Sequence, residues 1–237
     1  METARTKRLS LSGSALKLIA VITMLIDHIA SALLRSQPRV LFTLSGYTLT
    51  LYELMRRIGR LAFPIYCFLL VEGYRHSHDR RKYGRNLLLF ALLSEIPWNL
   101  LHGNALFCGS QNVYFTLFLG YLGICALEKY RQEPSKQLFS VLGLLILSNY
   151  LQADYGIKGF ALIMALYVLR EQELPRVVVG AALLGYPLCS AIAFLPIHFY
   201  NGERGFIRKK WCKYAFYAFY PVHMLALWII KRRTVGY

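Results

Sequence analysis

Acidic side chains are scarce in this chain: 12 Asp and Glu stand against 28 Lys and Arg, a formal net charge of +16. Charges of both signs together make up only 17% of its 237 residues, where a soluble domain carries about 25%. A hydrated nucleic-acid-binding surface and a disordered tail both need more polar surface than that. Cysteine gives no framework either. The five thiols (Cys67, Cys108, Cys125, Cys189 and Cys212) are odd in number, scattered and without a C-x-x-C pair. They exclude a disulfide scaffold and a zinc site, and no metal is expected. Fixed-period repeats, low-complexity tracts and an internal domain boundary are also missing, so one domain over 1–237 is expected.

What the chain has is hydrocarbon. Apolar residues reach 56% and mean hydropathy is +0.39, with the apolar residues gathered in long runs rather than alternating with polar ones. A helix that spans a bilayer needs about 20 apolar residues. The runs 15–34, 58–74, 86–101, 112–127, 137–151, 157–169, 177–199 and 214–230 predict an all-α polytopic membrane protein, a bundle of about eight transmembrane helices. The segment 40–55 is apolar but broken by Ser45-Gly46, and reads as interfacial or re-entrant.

Lys and Arg concentrate between these runs, where they set orientation and meet anionic headgroups. Arg5, Lys7 and Arg8 place the N-terminus in the cytoplasm. The links 75–85, 129–136 and 170–176 are basic, while 101–110 holds no Lys or Arg. This alternation predicts a multi-pass protein of the inner (cytoplasmic) membrane with both termini inside. Two links break the rule, because 35–60 and 203–213 are basic yet fall on the outer side. Either the path differs there or those charges belong to a site.

An ionisable group at mid-bilayer costs about 2.5–3.5 kcal/mol on insertion scales, so each one needs a partner or a wet cavity. In the first run Lys17 and His28 lie eleven positions apart, which returns them to within about 20° of one face and about 16.5 Å along the axis. Asp27 is about 100° around the helix from His28. A histidine is the side chain suited to proton transfer near neutrality, which makes His28 a candidate general base. The alternative is a buried polar pair that joins helices, with Lys17 reaching back to the interface. Arg60 and Glu72 bracket the second run, and Glu95 sits before Pro97 in the third. Asn112 reads as a helix cap and Asp154 as a turn residue. Near the end, Tyr200-Asn201-Gly202-Glu203-Arg204-Gly205 is a polar turn able to offer Arg204 to a phosphate. His223 follows a tyrosine-rich stretch and Pro221, placed to line a cavity.

Six blocks together resemble the TraX family, named for the F-pilin acetylation protein: 16–28 (LKLIAVITMLIDH), 58–75 (IGRLAFPIYCFLLVEGYR), 92–97 (LLSEIP), 111–116 (QNVYFT), 200–205 (YNGERG) and 213–223 (KYAFYAFYPVH). They cover nearly the whole chain. The family in turn is similar to the membrane acyltransferase-3 and heparan-glucosaminide acetyltransferase groups, whose first helix carries Arg, ten residues, then His. Here Lys17 stands in place of that Arg, which keeps the charge but loses the bidentate fork.

The resemblance implies a membrane acetyltransferase that moves an acetyl group from acetyl-CoA to an amine or hydroxyl of a secreted or surface acceptor, a pilin N-terminus, peptide or glycan. On that footing His28 takes the acceptor's proton or briefly holds the acetyl group, and Asp27 fixes the imidazole. Lys17, Arg57, Arg60 and Arg204 meet the donor's phosphates. Glu72, Glu95, Asn201 and His223 bind the acceptor or brace the cavity. Partners are the lipid bilayer, acetyl-CoA and that acceptor, with no nucleic acid. A proton-coupled transporter or flippase and a non-catalytic assembly protein are the competing readings.

Overall fold

A computed structural model describes residues 10–35, 39–44, 47–107, 109–185, 187–207 and 209–234. The expectations for Arg5, Lys7, Arg8, Ser45-Gly46 and Cys108, and for the side chain of Cys189, fall outside what is described. The chain is mostly helical, as the apolar runs require. Helix α1 (Gly13–Ile29) starts where the Ser12 hydroxyl accepts from the Ala15 amide, and it continues as a π-helical turn through Ala30–Leu34. A small antiparallel hairpin, β1 (Val40–Leu44) and β2 (Tyr47–Thr50), leads into α2 (Leu51–Gly59). Thr50 and Glu53 cap that helix reciprocally. There follow α3 (Ala62–His76), α4 (Arg80–Gly103), α5 (Val113–Lys129), α6 (Pro134–Tyr150), α7 (Gly156–Val168), α8 (Glu173–Leu183), α9 (Pro187–His198) and α10 (Lys210–Thr234). Asn112 caps α5 through its side chain, as its sequence position suggests.

The helices run back and forth between two ends of a bundle. At the first end Leu11 pairs with Tyr200, and the amides of Gly13 and Ser14 donate to the carbonyls of Glu203 and Arg204. Tyr121 there donates to the Arg80 carbonyl, and Tyr167 meets Glu128. At the second end Gln111 pairs with Ala153, Trp98 donates to the Ser110 carbonyl, and Lys231 reaches the Leu101 carbonyl.

The run 177–199 is not one span. Gly185 turns at φ +74°, and α8 and α9 fold back so that Glu173, at the start of one, meets His198, at the end of the other. Eleven and twelve residues give about 16–18 Å of helix each, half of a bilayer's hydrocarbon thickness. Gly180 makes the fold-back fit, since a Cβ there would overlap the Phe194 ring. The basic link 203–213 begins at the first end, beside the start of α1. Helix α10 then runs to the second end, so the start of α1 and the end of α10 lie at opposite ends of the bundle.

Among the described residues, Gly13–Leu34 is the single helix both long and apolar enough to cross a membrane by length and composition. Helices α4 and α10 have the length but not the hydropathy. The outward faces are apolar all the same. On α4 the stripe Leu89, Leu92, Leu93 and Ile96 is about half exposed, and on α6 Phe139 and Ile146 are exposed further still. Soluble monomers rarely turn such stripes outward.

Candidate functional site: a histidine pair in a polar cavity

A cavity of about 350 Å³ opens at the second end, between α1, its π-helical turn, α2, α3, α4, α10 and the 151–155 turn. Its polar lining includes Asp27, His28, Arg35, Arg56, Arg60, His102 and Asp154. Met24, Asp27, His28, Ser31 and Arg35 recur along α1 at spacings of three and four, so one helix face supplies a wall.

His28 lies on that wall, and behind it stands His223 from the last helix. The His28 Nδ1 and His223 Nε2 atoms are 2.6 Å apart, with the rings nearly parallel. The His223 Nδ1 lies 2.6 Å from the Phe219 carbonyl, one helical turn back. A carbonyl only accepts, so His223 carries its proton on Nδ1. In the neutral pair its Nε2 then accepts from His28 Nδ1–H. The remaining atom, His28 Nε2, keeps a free lone pair. His28 lines the cavity and His223 does not. Tyr220 packs edge-on against both imidazoles.

Asp27 does something other than hold the imidazole. Its Oδ2 pairs with Arg56, while Oδ1 is buried with no hydrogen-bond partner among the described residues. Helix α2 approaches here so closely that a Cβ at Gly59 would overlap the Asp27 carboxyl. The Nδ1 of His28 is met by His223, and Asp27 is met by Arg56.

Asp154 is not a plain turn residue. It reaches the cavity, and burial pushes its carboxyl up to about 6 against the pull of Arg60. The Thr116 hydroxyl holds the Asp154 carbonyl and so pins the turn to α5. The carboxyl is protonated more readily in the folded chain than in the unfolded one, so its ionisation weakens the fold. That cost is absent below about pH 4 and complete above about pH 6, amounting to roughly 3 kcal/mol. Asp154→Asn is expected to raise the thermal midpoint at pH 7.5 and leave it unchanged near pH 4, as read by a thermal ramp in detergent. An equal change at both pH values would rule out the ionisation as the cause.

The other anticipated residues divide between the two ends. Arg60 lines the cavity; Arg57, on the outer side of α2, does not. Glu95 sits beside the cavity wall and accepts from the Asn112 side chain at 2.6 Å, which ties α4 to the start of α5. Lys17, Glu72, Asn201 and Arg204 lie at the first end. Glu72 pairs with Arg75 and His76. Asn201 accepts from the Glu203 amide, and the Arg204 carbonyl accepts from Ser14, so the 200–205 turn is fastened to the start of α1. Lys17 feels the charges of Arg204 and Lys213 there. Beside and beyond Lys17, Leu16, Ala20 and Thr23 are buried, and the cavity stops at Met24.

Arg35, Arg56, His102 and Tyr155 were missed. Helical spacing held part of the signal: Arg35 is seven positions from His28, and Arg56 is four from Arg60.

An all-α chain with an imidazole pair at one end of an apolar bundle defines a class of helical protein with a built polar site. The chain belongs to the TraX protein family, whose pattern matches residues 12–231. It is similar to a probable fimbrial assembly protein FimC, serogroup H1, of Dichelobacter nodosus, 29% identical over 248 residues that cover 94% of this chain and 96% of that protein. No solved structure matches it.

Proposed function

We propose that the chain is an integral membrane acetyltransferase of the cytoplasmic membrane, using acetyl-CoA as donor substrate and an amine or hydroxyl of a secreted or surface molecule as acceptor. The observation that carries the reading is the free Nε2 of His28 in a polar cavity, with the ring held by a second histidine. In this reading the bundle is membrane-embedded, its outward leucine stripes face lipid, and α8–α9 is a half-depth re-entrant hairpin. The first end, rich in Lys and Arg, faces the cytoplasm. Of the two rule-breaking links, 199–209 joins that side, and the cations of 35–60 belong to the outer cavity.

The chemistry needs one proton moved twice. His28 Nε2 takes the proton of the acceptor's N–H or O–H as its lone pair attacks the acetyl carbonyl. The C–S bond of the thioester breaks as the C–N or C–O bond forms, and the imidazolium returns the proton to the departing thiolate. Arg56 holds Asp27 out of the way of that transfer. The cavity accommodates an acceptor's reacting end and a thioester but not a whole CoA. The donor's phosphates therefore sit elsewhere, and Lys17, Arg204 and Lys213 form the cationic cluster on the donor side. Lys17 is about 16.5 Å along the axis from His28, and the buried face at Leu16, Ala20 and Thr23 must part to admit the pantetheine arm.

The test is thermal stabilisation of the purified, detergent-solubilised protein by CoA. A ligand that binds only the folded state raises the midpoint, by about 2.7 kcal/mol at a hundredfold excess over Kd. The rise should occur in the intact chain and shrink in Lys17→Ala and Arg204→Ala. Absence of any rise with CoA or acetyl-CoA removes the enzyme reading. It would leave a non-catalytic assembly role, and the relative's printed name is that of a fimbrial assembly protein.

A further inference from the structure

The cavity's charges do not cancel one another by position. Asp27 is taken by Arg56, and Asp154 feels Arg60. Arg60 also reaches the Tyr155 side chain. On the other side of the cavity the picture reverses. Arg35, at the end of the π-helical turn, lines the wall and is exposed, and among the described residues no carboxylate pairs with it. Near it stands His102, its ring tilted by 34° to that of Trp98 with centroids 3.8 Å apart. The Nδ1 of His102 meets the Trp98 carbonyl at 3.0 Å, which leaves its Nε2 unengaged. Arg35, Arg56 and Lys231 all act on His102 with positive potential, and no acidic group contributes there. One corner of the cavity thus combines a planar guanidinium fork, an imidazole edge and an excess of positive charge. His28 also feels His102 and Arg56, so the corner and the base are neighbours within one space.

We propose that this corner is an anion seat for the acceptor, so that the molecule to be acetylated carries a carboxylate or phosphate close to its reacting amine or hydroxyl. This inference rests on the acetyltransferase reading and narrows its acceptor to an anionic nucleophile. A guanidinium binds either oxyanion through two parallel N–H bonds. The anion also answers the arrangement energetically. It supplies the negative charge that Arg35 lacks, while Asp27 and Asp154 remain matched to Arg56 and Arg60. With the anion at Arg35 and His102, the nucleophile is directed inward to His28, which lines the same cavity.

The probes are three small amines: ethanolamine, which has no anion; β-alanine, which has a carboxylate; and O-phosphoethanolamine, which has a phosphate. The readout is the thermal midpoint of the full chain in detergent at matched ionic strength, titrated to give an apparent Kd. β-Alanine or O-phosphoethanolamine should stabilise the protein and ethanolamine should not; which of the two binds more tightly decides between carboxylate and phosphate. Arg35→Gln should weaken the anionic probe at least about tenfold, the loss of one charge-assisted bond, and Arg35→Lys should recover part of it. Equal shifts with ethanolamine, no shift with either anion, or full binding by Arg35→Gln overturns the seat. Loss of CoA stabilisation in Arg35→Gln also overturns it, because the charge would then serve the donor.

Discussion

Replacing His28 by alanine is expected to lower acetyl transfer by about 10²–10⁴-fold, the contribution of a positioned general base, while the protein inserts and accumulates normally. The side chain lies on a cavity wall rather than in the packed core, so its removal opens a space that already holds polar groups and water-sized room. The loss should appear in kcat, because the imidazole acts in the reaction and not in holding the donor. Acetylated product is quantified by mass spectrometry with acetyl-CoA in excess. CoA-induced stabilisation, measured on the same sample, should be retained. Transfer at the wild-type rate by the alanine variant refutes the assignment of the base. Loss of both readouts would show a folding defect, and His28→Gln, closer in volume, then carries the test.

His223→Ala is expected to cost about one to two orders of magnitude, less than removal of the base itself. His223 does not line the cavity, so its effect passes through His28. Without it, His28 Nδ1–H loses its acceptor and the ring can present either nitrogen to the cavity. The readout that separates positioning from simple packing is the pH profile of kcat/KM, which reports the essential base in the free enzyme. The acidic limb should move between wild type and His223→Ala, and return towards the wild-type position in His223→Asn, whose amide oxygen can accept from His28 Nδ1–H. A lower rate with an unmoved limb in both variants would leave His223 a packing residue.

Much of this arrangement was legible in the linear chain, and the limits of that legibility are physical. Apolar runs marked the helices, because hydrocarbon length is a local property. Asn112 could be read as a cap because capping needs only the next two or three residues. His28 stood out as an imidazole inside an apolar run. Its pairing with His223 was not readable, since a contact across 195 positions is set by how the first and last helices cross. The run 177–199 was long enough for one span, and only the tertiary fit of Gly180 against Phe194 reveals a hairpin. The hairpin also reverses the direction in which α10 runs through the bundle. Asp154 looked like a turn residue because it is one; that its turn closes a cavity is a fact about α1 and α2, not about its neighbours. Arg56 and Arg57 are adjacent and alike in sequence, and helix phase alone turns the first inward.

The histidine pair joins the N-terminal helix to the C-terminal one. A fragment that stops short of α10 therefore leaves the Nδ1 of His28 without this partner. Packing of α10 against α4 completes the pair, and on the proposed reading a copy without that packing would transfer acetyl slowly.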